Sequence, residues 1–115
     1  MKKRDKILFA IKLVRLFLGV LFAAHICAVI FVGIGIYEIN NQQFNWIARY
    51  NENLVDASWM DKYIFALYWA VTTMTTVGFG DIIPTNTVEA LFVTFSMLTA
   101  SFVFAYSLNL IGMIV

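Results

Sequence analysis

The 115-residue chain reads as an all-α membrane protein, with two transmembrane helices flanking a shorter re-entrant segment. Apolar residues make up 62% of it and charged residues 13%, against about 45–50% and about 25% in ordinary soluble domains. Residues 16–37 and 90–115 carry no formal charge over 22 and 26 positions. As helices they would extend ~33 and ~39 Å, enough to cross a hydrocarbon core of ~30 Å. A third uncharged run, residues 63–80, has 18 positions and a second half rich in Thr and Gly, which suits a re-entrant segment better than a spanning one. This composition excludes a disordered chain, a nucleic-acid-binding domain and most small soluble enzymes. One Cys and one His leave neither an intrachain disulfide nor a zinc motif.

The first element opens with Lys2, Lys3, Arg4, Lys6, Lys12 and Arg15 against Asp5 alone, a net charge of +5. Residues 38–89 hold Arg49 and Lys62 against Glu38, Glu52, Asp56, Asp61, Asp81 and Glu89, a net −4. The basic flank belongs in the cytoplasm, which places both termini there and the acidic loop outside. Such a loop serves solubility as readily as it draws cations to a pore mouth. The apolar run is too long for a cleaved signal and is interrupted by Lys12 and Arg15, so it reads as an uncleaved anchor. The basic start with Ile7, Leu8 and Phe9 predicts a short amphipathic helix on the inner surface, with the spanning helix beginning near Lys12. His25 lies mid-membrane, where a neutral imidazole bonded to a backbone carbonyl or a Ser/Thr hydroxyl is expected, pH sensing being the alternative. Cys27 reads as a small packing residue, and Trp46, Trp59 and Tyr63 as outer interfacial anchors. No N-x-Ser/Thr sequon accompanies Asn40, Asn41 or Asn45.

The central segment carries the chemistry. An apolar helix over 61–75 leads into Thr76-Val77-Gly78-Phe79-Gly80-Asp81. In lipid, irregular backbone survives only when buried in protein or lining an aqueous cavity. Its carbonyls need partners, and a dehydrated cation is one. Gly78 and Gly80 alternate with L-residues and reach backbone angles closed to them, which can turn successive carbonyls to one side. The carbonyls of Thr76, Val77, Gly78 and Phe79, with the Thr76 hydroxyl, would then form oxygen layers that replace an ion's hydration shell. The Val77 and Phe79 side chains would pack behind the strand. One chain supplies one oxygen per layer, so this reading requires a homotetramer, or a pseudo-tetramer with related subunits, around a common axis. A Gly-x-Gly alone also occurs in turns and phosphate loops, but no Gly-Lys-Ser/Thr follows and no strand precedes it.

Thr73-Met74-Thr75-Thr76-Val77-Gly78-Phe79-Gly80-Asp81 resembles the potassium-channel signature almost residue for residue. The resemblance covers the whole chain, and it is closest to six-helix pores that carry a cyclic-nucleotide-binding domain, including the ether-à-go-go and plant inward-rectifier groups. His25-x-x-Ala28, Glu89 shortly after Pro84, and residues 104–112 carry that closer likeness. It implies a single pore domain over 1–115: a cytoplasmic amphipathic segment 1–11, an outer helix 12–38, a turret 39–60, a pore helix 61–75, a selectivity filter 76–81 and an inner helix 86–115. Potassium ions would bind at Thr76, Val77, Gly78 and Phe79, with Gly80 beside them and Gly80 and Asp81 closing the outer mouth. Tyr68, Trp69, Thr72, Thr75 and Asp81 would support the filter.

Departures from the family pattern matter too. Tyr68 stands where many relatives have a Trp that donates to the Asp. Trp69 matches an aromatic that bonds a filter Tyr hydroxyl, which Phe79 lacks. Ala100 occupies the usual hinge-glycine position, so bending of the inner helix would fall to small residues or Gly112, or the helix is straight. Ala100, Phe104, Leu108 and Gly112 would line a cavity, or else pack on neighbouring helices. No helix bears the repeated Arg or Lys of a voltage sensor, and the chain ends at Val115 inside an apolar run, the pattern of a fragment. The implied activity is passive potassium conduction by a multi-pass protein of the plasma membrane. It involves no covalent chemistry and no cofactor besides the potassium ions themselves. A weakly selective cation pore and a non-conducting accessory membrane subunit are the alternatives.

Overall fold

No Pro interrupts residues 3–40. The structure, a computed structural model describing residues 2–75 and 77–114, forms them into one helix, α1 (Lys3–Asn40). At ~1.5 Å per residue it is ~57 Å long, and it sets the molecule's 59 Å long axis. The break expected between a surface segment 1–11 and an outer helix starting at 12 is not there. A helix satisfies its own backbone across the membrane interface, and Lys12 and Arg15 are exposed, with stems long enough to keep the charges in water. Met1 and Val115, the expected ends of the first and last segments, lie outside the described residues.

The loop expected over 39–60 contains two short helices, α2 (Trp46–Tyr50) and α3 (Glu52–Val55). Its asparagines are what start them. Asn45 Oδ1 accepts from the Ala48 amide at 2.9 Å and Asn51 Oδ1 from the Asn53 amide at 3.0 Å, each satisfying an orphan first-turn donor. Ser58 does the same for α4 (Trp59–Met74), accepting from the Asp61 amide. With 16 residues, α4 is ~24 Å long and stops short of a ~30 Å core. Asn86 caps α5 (Thr87–Ile114) by accepting from the Glu89 amide at 2.9 Å, and α5 runs unbroken past Ala100. Two helices, α1 and α5, are long and apolar enough to cross a membrane.

Phe31, on α1, organises the core. Its ring is fully buried between two indoles, Trp46 at 4.3 Å and 7° and Trp69 at 4.2 Å and 30°. Phe92 of α5 closes the cluster at 5.8 Å. One aromatic ring thus joins α1, α2, α4 and α5. Trp46 is therefore not an interfacial anchor: it is 0% exposed, and its Nε1 donates to the Phe31 carbonyl at 3.0 Å. Burying the whole indole, with its one polar atom satisfied, outweighs holding it at the membrane surface. Tyr63 is also drawn inward, its hydroxyl 2.6 Å from His25 Nδ1. That bond joins α1 to α4 and supplies the hydroxyl partner expected for His25, from a Tyr rather than a Ser or Thr. Trp59 remains exposed at the start of α4. Large side chains such as Phe17, Phe22, Phe95 and Phe102 also stay exposed along α1 and α5, faces suited to lipid or to other chains.

Gly35 makes the indole's position possible. A Cβ there would lie 2.8 Å from Trp46 Nε1 and 2.6 Å from Ile47 Cδ1. Gly35→Val is expected to destabilise the fold by about 1–3 kcal/mol through overpacking, read as a lower unfolding temperature in detergent. Gly33→Val, where a Cβ meets nothing within 4 Å, should leave that temperature nearly unchanged.

Candidate functional site

The end of α4 is built from threonines. Their hydroxyls bond back to carbonyls three and four residues earlier in the same helix. Thr72 Oγ1 and Thr73 Oγ1 both donate to the Trp69 carbonyl, at 2.8 and 2.9 Å, and Thr75 Oγ1 donates to the Val71 carbonyl at 2.8 Å. The Thr72 carbonyl accepts two amides from the following segment, Val77 at 2.9 Å and Gly78 at 3.1 Å. The chain after α4 is thereby pinned to the helix by the amides of Val77 and Gly78. Thr76, expected as the first ion-coordinating residue, lies outside the described residues.

Gly78 and Gly80 take φ +55° and +79°, the left-handed region expected at both. A Cβ on either would meet nothing within 4 Å. Backbone conformation, not crowding within the protomer, is what requires glycine here. Val77 and Phe79, expected to pack behind the strand, are exposed in the single chain. Phe79 lies nearly parallel to the Tyr68 ring at 6.3 Å and 10°.

Beyond the glycines, Tyr68 donates to Asp81 Oδ2 at 2.7 Å, the bond expected between them. The bond to the carboxylate pushes the phenol up to about 12, so Tyr68 remains a donor at any physiological pH. Asp81 Oδ1 accepts from the Ile82 amide at 3.0 Å. Trp69 takes no part in this. It is 5% exposed and stacked on Phe31, behind α4 in the core.

The segment that returns to α5 is held by two acids. Glu89, fully buried, accepts from the Trp46 amide at 2.9 Å and from both the amide and the hydroxyl of Thr85 at 2.8 Å. Asn86 Nδ2 donates to Glu38 Oε2 and to the Phe44 carbonyl. These bonds join the C-terminal end of α1, α2, the loop before α5 and the start of α5. Sequence reasoning missed this joint: Glu38 and Glu89 stand at the edges of the two uncharged runs, and nothing in their spacing says that they meet.

On α5, Phe104, Leu108 and Gly112 are exposed. Ala100, grouped with them in sequence, is 2% exposed and belongs to the buried cluster that includes Ala24 and Ala28. Its methyl is small enough for close helix packing, so it does not present itself to a cavity. Phe104 instead shares an apolar groove of about 620 Å³ with Met74 and Thr75 at the end of α4.

The ion transport protein family matches residues 2–115. The potassium channel AKT1 of Arabidopsis thaliana is 36% identical over 97 residues, 84% of this chain and 11% of that protein. The potassium channel KAT1 of the same plant is 38% identical over 90 residues, 78% of this chain and 13% of that protein. AKT3 of Oryza sativa, also a potassium channel, is 35% identical over 97 residues, 84% of this chain and 11% of that protein. The chain therefore spans between a tenth and a seventh of these relatives' length.

The Tyr68–Asp81 bond makes a coupled test. Tyr68→Phe and Asp81→Asn should each speed hydrogen exchange at residues 79–82, and the double variant should exchange no faster than the quicker single one. Additive acceleration would mean that the two side chains act separately.

Proposed function

This chain belongs to the ion transport protein family, and we propose that it forms the pore of a potassium-selective channel. The observation that carries this reading is the pair of left-handed glycines at Gly78 and Gly80, set directly after a half-length helix whose Thr72 carbonyl accepts two amides of the following segment. On this reading α1 is the outer helix, residues 39–58 the turret, α4 the re-entrant pore helix, 76–81 the filter and α5 the inner helix. The names of the relatives, all potassium channels, favour potassium as the ion.

The mechanism follows from electrostatics. A cation entering the filter sheds water and needs oxygen ligands of similar strength. The carbonyls of Thr76, Val77, Gly78 and Phe79 supply them, one per layer from each chain, so four chains around one axis supply four per layer. The amides of Val77 and Gly78, turned to Thr72, keep their positive ends away from the ion. The C-terminal end of α4 adds a partial negative charge at the filter base. The exposed acids Glu52 and Asp81 raise the local cation concentration at the outer mouth. Phe104 and Leu108 line the path below the filter. The basic start of α1 places both termini in the cytoplasm and the turret outside the plasma membrane.

The test is ion flux through purified protein in liposomes. Potassium efflux that external barium blocks, with sodium efflux far slower, is the expected result. Gly78→Ala, which forces an L-residue into a conformation costing about 1–2 kcal/mol per subunit, should abolish this flux while membrane insertion is retained. A verified tetramer that passes neither ion would overturn the reading in favour of an accessory subunit, and equal potassium and sodium rates would favour a weakly selective pore. Phe79→Tyr gives the filter a hydroxyl and a further hydrogen bond, normally about 0.5–1.5 kcal/mol. Recorded currents should decay more slowly than in the parent.

A further inference from the structure

The α1–α5 contact is flanked by two grooves of almost equal size that differ in charge. One, about 620 Å³, is lined by Phe17, Val71, Met74 and Phe104 and by no charged residue. The other, about 600 Å³, carries Lys12 and Arg15 on the α1 wall above Leu16 and Val20, and Phe102 and Tyr106 on the α5 wall. Lys12, Arg15, Leu16 and Gly19 follow a helical spacing of three, four and seven, so they share one face. No acidic side chain lines this groove, and Asp5 is the only acid before Glu38.

Depth identifies the occupant. Arg15 lies 23 positions from Glu38 along α1, ~35 Å at helical rise, against a hydrocarbon core of ~30 Å. With Glu38 at the outer surface, Lys12 and Arg15 reach the level of the inner headgroups. Tyr106 lies 17 positions after Glu89, ~26 Å, the depth at which interfacial aromatics sit. A second copy running parallel offers no acid to neutralise these charges, since beyond Asp5 its acids all fall at residues 38–89, at the opposite membrane surface. Anionic headgroups of the inner leaflet supply negative charge at this depth. The groove floor is open for an alkyl chain, because even a Cβ on Gly19 would meet nothing within 4 Å.

We infer that the groove between the inner halves of α1 and α5 seats one anionic phospholipid, its phosphate at Lys12 and Arg15 and an acyl chain along Leu16, Val20 and Phe102. This rests on the membrane-spanning part of the functional reading and not on conduction. Native mass spectrometry of the intact assembly, extracted from vesicles of equal phosphatidylglycerol and phosphatidylcholine, tests it. The parent should retain phosphatidylglycerol preferentially. Lys12→Gln with Arg15→Gln should lower that retention about tenfold or more, whereas Lys2→Gln with Lys3→Gln, equal in charge but outside the groove, should change it little. Gly19→Leu, which fills the floor without altering charge, should also displace the lipid. Equal retention of the two lipids by the parent, equal loss in both charge variants, or retention indifferent to Gly19→Leu, as when a protein segment fills the groove, overturns the assignment. Potassium flux in the same vesicles reads the pore separately, so its absence with lipid retention intact counts against conduction alone.

Discussion

A short stretch of irregular backbone has no ladder partner, and that constraint shapes almost everything around residues 77–81. Each polar backbone group there must find a partner inside the protein or in an aqueous path. The amides of Val77 and Gly78 go to the Thr72 carbonyl, and the Ile82 amide to Asp81. Threonine hydroxyls add bonds to the Trp69 and Val71 carbonyls near the end of α4. On the proposed reading the carbonyls of this segment serve as ligands for a cation, and the two left-handed glycines let the backbone take the shape that role requires.

Holding that segment takes a rigid frame, supplied by contacts distant in sequence. Phe31 lies between Trp46 and Trp69, so α1, α2 and α4 meet on one ring. Glu89 draws the Trp46 amide and the Thr85 turn onto the first turn of α5. Glu38 reaches the same place from α1 through Asn86, though its buried Oε1 has no hydrogen-bond partner among the described residues. The segment between α1 and α4 is thus more than a linker. Its first helix, α2, wedges an indole into the bundle, through the space left by Gly35, and the Trp46 amide fixes Glu89 in the first turn of α5.

The long elements were legible because membranes impose them through composition: two uncharged runs mark α1 and α5, and the observed α4 starts and stops within two residues of expectation. The local site chemistry was equally visible, since the glycine conformations and the Tyr68–Asp81 bond depend on residues close in sequence or in a familiar pattern. What escaped reading depends on long-range pairing. An indole at position 46 looks the same in sequence whether it faces headgroups or stacks on Phe31, fifteen residues away. Ala100 looked like a cavity residue from its spacing with Phe104, yet small size also fits it to close packing. Lys12 and Arg15 suggested a boundary because charge was read as the end of a helix, whereas flexible stems let α1 continue beneath them.

Anomalous scattering from thallium, a monovalent cation of potassium-like size, would examine the central claim most directly in a map of the assembled protein. The account predicts a column of peaks on a fourfold axis, enclosed by the backbone oxygens of Val77, Gly78 and Phe79. An axis without peaks, an assembly of two chains, or those oxygens turned toward lipid would contradict it.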